Sequence, residues 1–252
     1  MERLGVLDRL VACTKYCIDV CPDVKQRGIA VVDDSWTADS EQIRATNPDL
    51  VIASVPYQVE AVAEILKSGA QFLGLAPHTL GDVYADIAAI AGIMNEPNRG
   101  QYLIREMQME IERVRSRFAG RLTRPRVYCE EWGKPLIHSQ AWAAELVEAA
   151  GGEFVGDPGR QTDTDTVREL HPDVIIAAWC GAGNRVPLEK IVSQRGWDSL
   201  PAVREGRVYC INDEYLNTPG PTLLAGLHAL VAAIHNGEAP GMRRIAVNVA
   251  VD

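Results

Sequence analysis

The sequence predicts an α/β fold: two Rossmann-like lobes with mostly parallel sheets, joined by a single long helix. Three observations carry the prediction. Short apolar runs alternate with amphipathic stretches along the 252 residues. One helix-to-strand junction, IRATNPDLVIAS at 43–54, is echoed by VRELHPDVIIAAW at 167–179. Between the two echoes, from 95 to 122, runs one long helical stripe.

The apolar runs fall at 10–13, 29–32, 50–54, 72–75, 126–129, 174–179 and 208–211. Each is short and bounded by polar or turn residues, as a buried strand of a parallel sheet should be. The segments between them, such as 59–67, 142–150 and 188–195, carry apolar residues at helical spacing. Alternation of this kind is the βαβ pattern. In both echoes a polar helix end leads through Pro-Asp into a buried strand, which suggests two similar halves. The central stripe places Leu103, Ile104, Met107, Ile111, Val114 and Phe118 on one face, and Gly120 and then Pro125 stop it. At ~1.5 Å per residue, some twenty helical residues cover about 30 Å, enough for a spine along two lobes. The plainer alternative is a surface helix on a single sheet. The expected division is a first lobe at 1–94, the connecting helix at 95–122 and a second lobe at 123–252.

A composition of 47% hydrophobic and 23% charged residues is enough for one large domain or two lobes with real cores. The net charge of −9 comes without a basic run. Nucleic-acid binders cluster Lys and Arg, so a nucleic-acid partner is excluded. There is no run of about 18 apolar residues to span a bilayer. The opening MERLGVLDRL carries charges where a secretion signal needs an apolar core, so the chain as given reads as cytoplasmic.

In open parallel sheets, ligands bind beyond the carboxyl ends of the strands. The residues that follow the apolar runs are therefore the informative ones. Tyr16, Trp36, Tyr57, Trp132, Trp179 and Tyr215 all occur there, in a chain with five Trp, seven Tyr and three Phe. Rings lining a cleft between lobes suit a large, flat, partly apolar ligand. Trp179, inside an apolar run, reads equally well as an interior plug. Glu130 and Glu131 are adjacent on an extended chain, so only one of them should face the cleft. His78 and His138 follow strand-like segments and could reach it. Gly181-Ala182-Gly183 reads as a tight turn, since the third glycine of a dinucleotide fingerprint is absent. No complete catalytic set is present, and the chain reads as no enzyme.

The six cysteines are too sparse for a disulfide scaffold, so reduced thiols are expected. Half of them lie in VACTKYCIDVCP, as Cys13, Cys17 and Cys21. The spacing is not that of a zinc knuckle, which uses C-x2-C pairs. Cys17, Cys129 and Cys180 lie at or near strand ends and could meet across a closed cleft, where thiols suit soft metals or an iron–sulfur cluster. Buried cysteines also serve simply as packing.

The segments LGVLDRLVACTKYCIDVCPDV, NPDLVIAS, RPRVYCEEWGKPLIHSQAWAAELVEAAGGE, PDVIIAAWCGAG and GRVYCINDEYLNTPGPTLLAGL resemble the helical-backbone class of bacterial substrate-binding proteins. This is the cobalamin and ferric-siderophore type that feeds ABC importers, and cobalamin-binding-like members are the nearest. The resemblance implies two α/β lobes on one long helix, with a corrinoid or other metal chelate held between them and no cofactor required. By resemblance, Tyr16, Trp36 and Tyr215 fall where corrin-contacting rings lie, and Glu131, Asp213 and Asn217 are placed to bond peripheral amides. It further implies an ABC permease as partner, docked through Glu41 on the first lobe, and a periplasmic or cell-surface location. The chain departs from the family in beginning inside the first lobe, as if the first βα unit were missing. The rival expectation is a cytosolic thiol-rich protein built around a metal or iron–sulfur site with a redox role.

Overall fold

The computed structural model describes residues 1–33, 37, 39–54 and 58–246. Trp36 and Tyr57 lie outside them. The chain forms two compact units, Met1–Ile104 and Arg105–Asp252.

In the first unit the elements run β1 (Ala12–Thr14), α1 (Tyr16–Val20), α2 (Asp23–Gln26), β2 (Ala30–Val32), α3 (Ser40–Ala45), β3 (Leu50–Ser54), α4 (Val59–Ser68), β4 (Gln71–Leu75) and α5 (Leu80–Ile93). β1 pairs with β2 and β3 with β4, both in parallel. Local chemistry sets the helix ends. The Asp39 carboxylate accepts the Gln42 amide at 2.8 Å and caps α3. Thr79 and Asp82 form a capping box at the start of α5, and the backbone N–H groups it accepts hold the Asp82 carboxyl below its usual range. α4 ends on Gly69 at φ 82°, a left-handed position that glycine takes without cost.

The helix α6 (Pro97–Phe118) carries the chain from the first unit into the second. Its buried residues are the predicted stripe, Leu103, Ile104, Met107, Ile111, Val114 and Phe118. Gly100 lets α5 come close, since a Cβ there would lie 2.4 Å from the Ala91 Cβ.

The second unit runs β5 (Arg126–Gly133), β6 (Leu136–His138), α7 (Ala141–Ala149), β7 (Glu153–Phe154), β8 (Gln161–Thr162), α8 (Thr164–Glu169), β9 (Val174–Ala177), α9 (Leu188–Arg195), α10 (Pro201–Arg204), β10 (Val208–Ile211), α11 (Glu214–Asn217), α12 (Leu223–Ile234) and β11 (Met242–Arg244). Among the described residues these strands make one sheet in the order β11-β10-β9-β5-β6-β8, with β7 also paired to β5. The β5, β7, β9 and β10 pairings are parallel; β6, β8 and β11 add antiparallel edges. Every residue of β9 and β10 is buried, as befits strands covered on both faces.

All seven apolar runs form strands, and a mostly parallel α/β architecture with a long helix holds. Two boundaries near the strand tips of the second unit differ from expectation, and β1 starts two residues late, at Ala12. β5 continues four residues past Cys129, because the chain bulges between Glu130 and Trp132 and turns back as β6. β9 stops at Ala177, two residues before Trp179, where the chain enters the turn at Gly181 and Gly183, both with positive φ. Among the described residues no helix is long and apolar enough to cross a membrane.

Candidate functional site

β5, β9 and β10 are parallel and in register: Glu130 is level with Ala177, and Ala177 with Cys210. Their carboxyl ends therefore share one edge of the second unit. From it project Glu131 and Trp132 in the last, turned-back residues of β5, Cys180 after β9, and Asp213, Tyr215 and Asn217 after β10.

The paired glutamates point apart, as alternation requires. Glu130 is 1% exposed. Its carboxylate accepts the Tyr128 hydroxyl at 2.6 Å, the Trp179 indole N–H at 2.7 Å and two bonds from the Arg195 guanidinium at 2.8 and 3.1 Å. A buried carboxylate needs this many donors. Arg195 in turn lies 4.8 Å from the Trp197 ring centre and 5.9 Å from that of Trp179, cation against aromatic faces. Burial, followed by the Glu130 charge, pushes the Tyr128 hydroxyl well above its usual value.

Glu131 stands on the other face, half-buried, with the Gln140 amide donating to it at 2.6 Å. Burial pushes its carboxyl up to about 7, with Gln140 pulling partly back. At neutral pH the group is shared between acid and carboxylate, so it can donate to a carbonyl or accept from an N–H. Asn217 donates through Nδ2 to the Ala178 carbonyl at 2.6 Å and to the Cys180 sulfur at 3.2 Å. The contact with a carbonyl fixes which amide atom is nitrogen. Its Oδ1 is buried with no protein partner, an acceptor left open. Asp213 is already engaged: its two oxygens accept the amides of Gly181 and Gly183 at 2.7 and 2.8 Å. It shapes the glycine turn that carries Cys180.

The aromatic set divides. Tyr16 in the first unit is 43% exposed, with the Lys15 ammonium 5.1 Å from its ring centre. Trp132 is 38% exposed and anchored by its indole N–H on the Lys134 carbonyl at 2.9 Å. Tyr215 is half-buried, its ring so close over Gly241 that a Cβ there would lie 2.4 Å from Cε2. Trp179 serves the interior: its N–H is held by Glu130 and its ring packs on the core and over Gly133, where a Cβ would sit 2.1 Å from Cζ2. Trp36 and Tyr57 lie outside the described residues.

The thiols do not assemble a metal centre. Among the described residues, no three of His, Cys, Asp and Glu form a group able to hold a metal ion. Cys129, expected at the cleft, is wholly buried, and burial raises its thiol far above the usual value. Both faces of β5 are covered there, as the burial of its neighbours Val127, Tyr128 and Glu130 shows. Cys180 is exposed at the surface of the turn, and desolvation by the surrounding protein, with the Glu131 and Asp213 charges added, pushes its thiol up to about 12. It is a neutral thiol. Cys17 packs against the apolar cluster of Leu7, Cys13 and Val24 in the first unit. His138 is also interior, edge-on to Tyr128 at 5.3 Å, and burial lowers its pKa. His78 is exposed at the start of α5. Glu41 lies exposed in the first turn of α3. Residue patterns gave no sign of Gln140 or Arg195, since each acts on a strand tip from a distant element.

A family model described as periplasmic binding protein matches residues 1–215. The chain belongs to that family. A relative named Vitamin B12-binding protein, from Vibrio parahaemolyticus serotype O3:K6, is 26% identical over 192 residues, which is 73% of this chain and 67% of the relative. An uncharacterized ABC transporter substrate-binding lipoprotein, YvrC of Bacillus subtilis, is 21% identical over 244 residues, covering 92% of this chain and 75% of the relative. A solved periplasmic heme binding protein from Pseudomonas aeruginosa superimposes with a TM-score of 0.83 at 17% identity, covering 98% of this chain and 93% of the other; at that identity the likeness is one of fold. These are binding proteins, not enzymes, and the thiol-rich metal or iron–sulfur reading has no support among them.

The raised Glu131 carboxyl has a consequence for stability. Its folded value, about 7, lies above the ordinary 4.5. Between those values the unfolded chain ionises before the folded one does, so stability falls as pH rises through the interval and levels off above it. Glu131→Gln is expected to remove this fall. Urea unfolding of both proteins at pH 4.5 and pH 8 tests it; parallel stabilities at the two pH values would show that Glu131 titrates normally.

Proposed function

We propose that this protein is the substrate-binding component of an ABC-type importer and that its ligand is a corrinoid or similar metal-chelate macrocycle bearing carboxamides. The observation that carries the ligand class is the strand-tip pair in the second unit. Glu131 can donate or accept at neutral pH, and the buried Oδ1 of Asn217 awaits a donor. A primary carboxamide offers both an N–H and a carbonyl and satisfies both groups. Trp132 and Tyr215, on the same edge of the second unit as that pair, supply ring surface for the flat macrocycle. Gln140 and Asp213 act by orienting Glu131 and the glycine turn.

The relative named for vitamin B12 supports this ligand class, and the ABC substrate-binding lipoprotein supports a permease as partner. The family's description as periplasmic and the relative named as a lipoprotein support a location outside the cytoplasmic membrane, periplasmic or at the cell surface. Exposed Glu41 is where we place a permease contact.

Titration of the purified protein with cyanocobalamin, followed by tryptophan fluorescence, tests the ligand. Saturable quenching is expected, and Tyr215→Ala or Trp132→Ala should each weaken binding by about 1–3 kcal/mol. Binding of hemin with no response to cyanocobalamin would overturn the carboxamide reading while leaving the importer role. Unchanged affinity in both variants would remove these rings from the site.

A further inference from the structure

Two groups stand open at the strand tips of the second unit, and Cys180 touches the backbone of one and the side chain of the other. Its amide donates to the Glu131 carbonyl at 3.1 Å, and its sulfur accepts from Asn217 Nδ2 at 3.2 Å. Nδ2 is spent on that sulfur and on the Ala178 carbonyl, so Asn217 is left with Oδ1, buried and able only to accept. Glu131 is half-buried and receives one bond, at 2.6 Å, from the neutral amide of Gln140. Its neighbour Glu130 is buried too, but there the Arg195 guanidinium answers the charge. Among the described residues Glu131 makes no ion pair. The charged and titratable groups around it are engaged elsewhere or face solvent. Cys180 carries a neutral thiol. The Asp213 carboxylate, at the start of α11, is turned to the amides of Gly181 and Gly183. Arg185, in the same turn, is exposed and donates Nε to the Ala182 carbonyl at 3.1 Å. Lys134 is exposed in the turn between β5 and β6. Beyond Gln140 the chain at Gly159 comes close, since a Cβ there would lie 2.8 Å from the Gln140 Oε1, and Asp157 and Arg160 beside it are exposed. His138 is interior, edge-on to Tyr128.

We propose that Glu131 takes up a proton from solvent when the ligand binds and meets the ligand as a neutral acid; the inference rests on the carboxamide ligand proposed above. Two arguments give the direction. A ligand seated over the strand tip removes the water that still reaches Glu131, and neutral carboxamides bring no cation in its place. A carboxyl covered in this way takes a proton rather than stay charged. A primary carboxamide also needs an acceptor for its N–H and a donor for its carbonyl. Asn217 Oδ1 is the acceptor, and Glu131 is a donor only as the acid. Burial already holds the free carboxyl at about 7, against the ordinary 4.5, so the acid form is within reach at neutral pH. Above that value the free protein is ionised and binding has to draw a proton, so affinity falls as pH rises. Below it the free protein already carries the proton, and affinity levels off.

Isothermal titration calorimetry of the full chain with cyanocobalamin, run in phosphate and again in Tris, counts the protons taken up, because the two buffers release protons with very different heats. Cyanocobalamin has no group of its own that titrates between pH 5.5 and 8.5. The expected count is near zero at pH 5.5 and rises through pH 7 toward about one per ligand at pH 8.5, while affinity falls roughly tenfold between pH 7.5 and 8.5. Glu131→Gln keeps a donor and cannot titrate. Its count should be zero throughout, and it should bind more tightly than wild type at pH 8.5. Saturable binding by wild type with a flat count, or with proton release, would overturn the proposal and leave the ligand class standing. Uptake that persists in Glu131→Gln would place the proton on another group and overturn it equally. No binding of cyanocobalamin at any of these pH values would remove the carboxamide ligand and this inference with it. The wild-type count decides the matter even where the variant does not fold.

Discussion

Replacing Arg195 by Met is expected to lower the unfolding free energy by about 3–5 kcal/mol, the range for removing one partner of a buried ion pair. The Arg195 side chain is 10% exposed and the Glu130 side chain 1%. Without the guanidinium, the Glu130 carboxylate keeps only the Tyr128 hydroxyl and the Trp179 indole as donors. The Gly133 carbonyl loses its bond from Arg195 as well. The rings of Trp179 and Trp197 lose the cation lying beside them. Because Glu130 directly precedes Glu131, loosening this cluster also loosens the strand tip that we assign to the ligand. Urea unfolding gives the measurement. The double variant Glu130→Leu with Arg195→Met should recover much of the loss, since an apolar pair of similar volume leaves no charge behind. A single variant within about 0.5 kcal/mol of wild type, the usual range of a surface change, would show that the pair is not shielded as described.

That cluster also marks where the sequence stopped being legible. The strands of both units were readable because each is a short apolar run with polar or turn residues beside it, as at Leu50–Ser54 and Val174–Ala177, each preceded by Pro-Asp. Alternation along β5 was enough to say that Glu130 and Glu131 part company, though not which of them turns inward. That choice depends on Arg195, 65 residues away, which no local pattern connects to β5. The short antiparallel edges were invisible for another reason: Gln161–Thr162 and Met242–Arg244 have two or three residues each, too few to show a period. Trp179 was ambiguous as a residue of an apolar run, and its place over Gly133 is a tertiary fact. The cysteines misled because position along a strand does not give burial. Cys129 is near the tip, yet the sheet is covered on both faces there.

Trp142 should matter to both stability and ligand affinity without touching a ligand. It lies on α7, 4% exposed, and donates its indole N–H to the Leu216 carbonyl at 2.7 Å. Leu216 is the middle of α11, flanked by Tyr215 and Asn217, so one bond from the core fixes the turn that presents both. Gly226 of α12 makes room for that turn, since a Cβ there would lie 2.2 Å from the Tyr215 carbonyl oxygen. Trp142→Ala is expected to cost about 3–5 kcal/mol of stability through the cavity it leaves. Trp142→Phe keeps most of the packing and removes the donor. It should cost about 1–3 kcal/mol, the price of a buried carbonyl left without its partner, and it should weaken cyanocobalamin binding at a temperature where the variant is fully folded. Urea unfolding and fluorescence titration on the same samples separate the two effects. If Trp142→Phe loses stability but binds ligand as wild type does, α11 is held by its own contacts with α12, and the route from core to site through Leu216 fails. If Trp142→Ala unfolds at the same urea concentration as wild type, the indole is not in the interior where its burial and hydrogen bond place it.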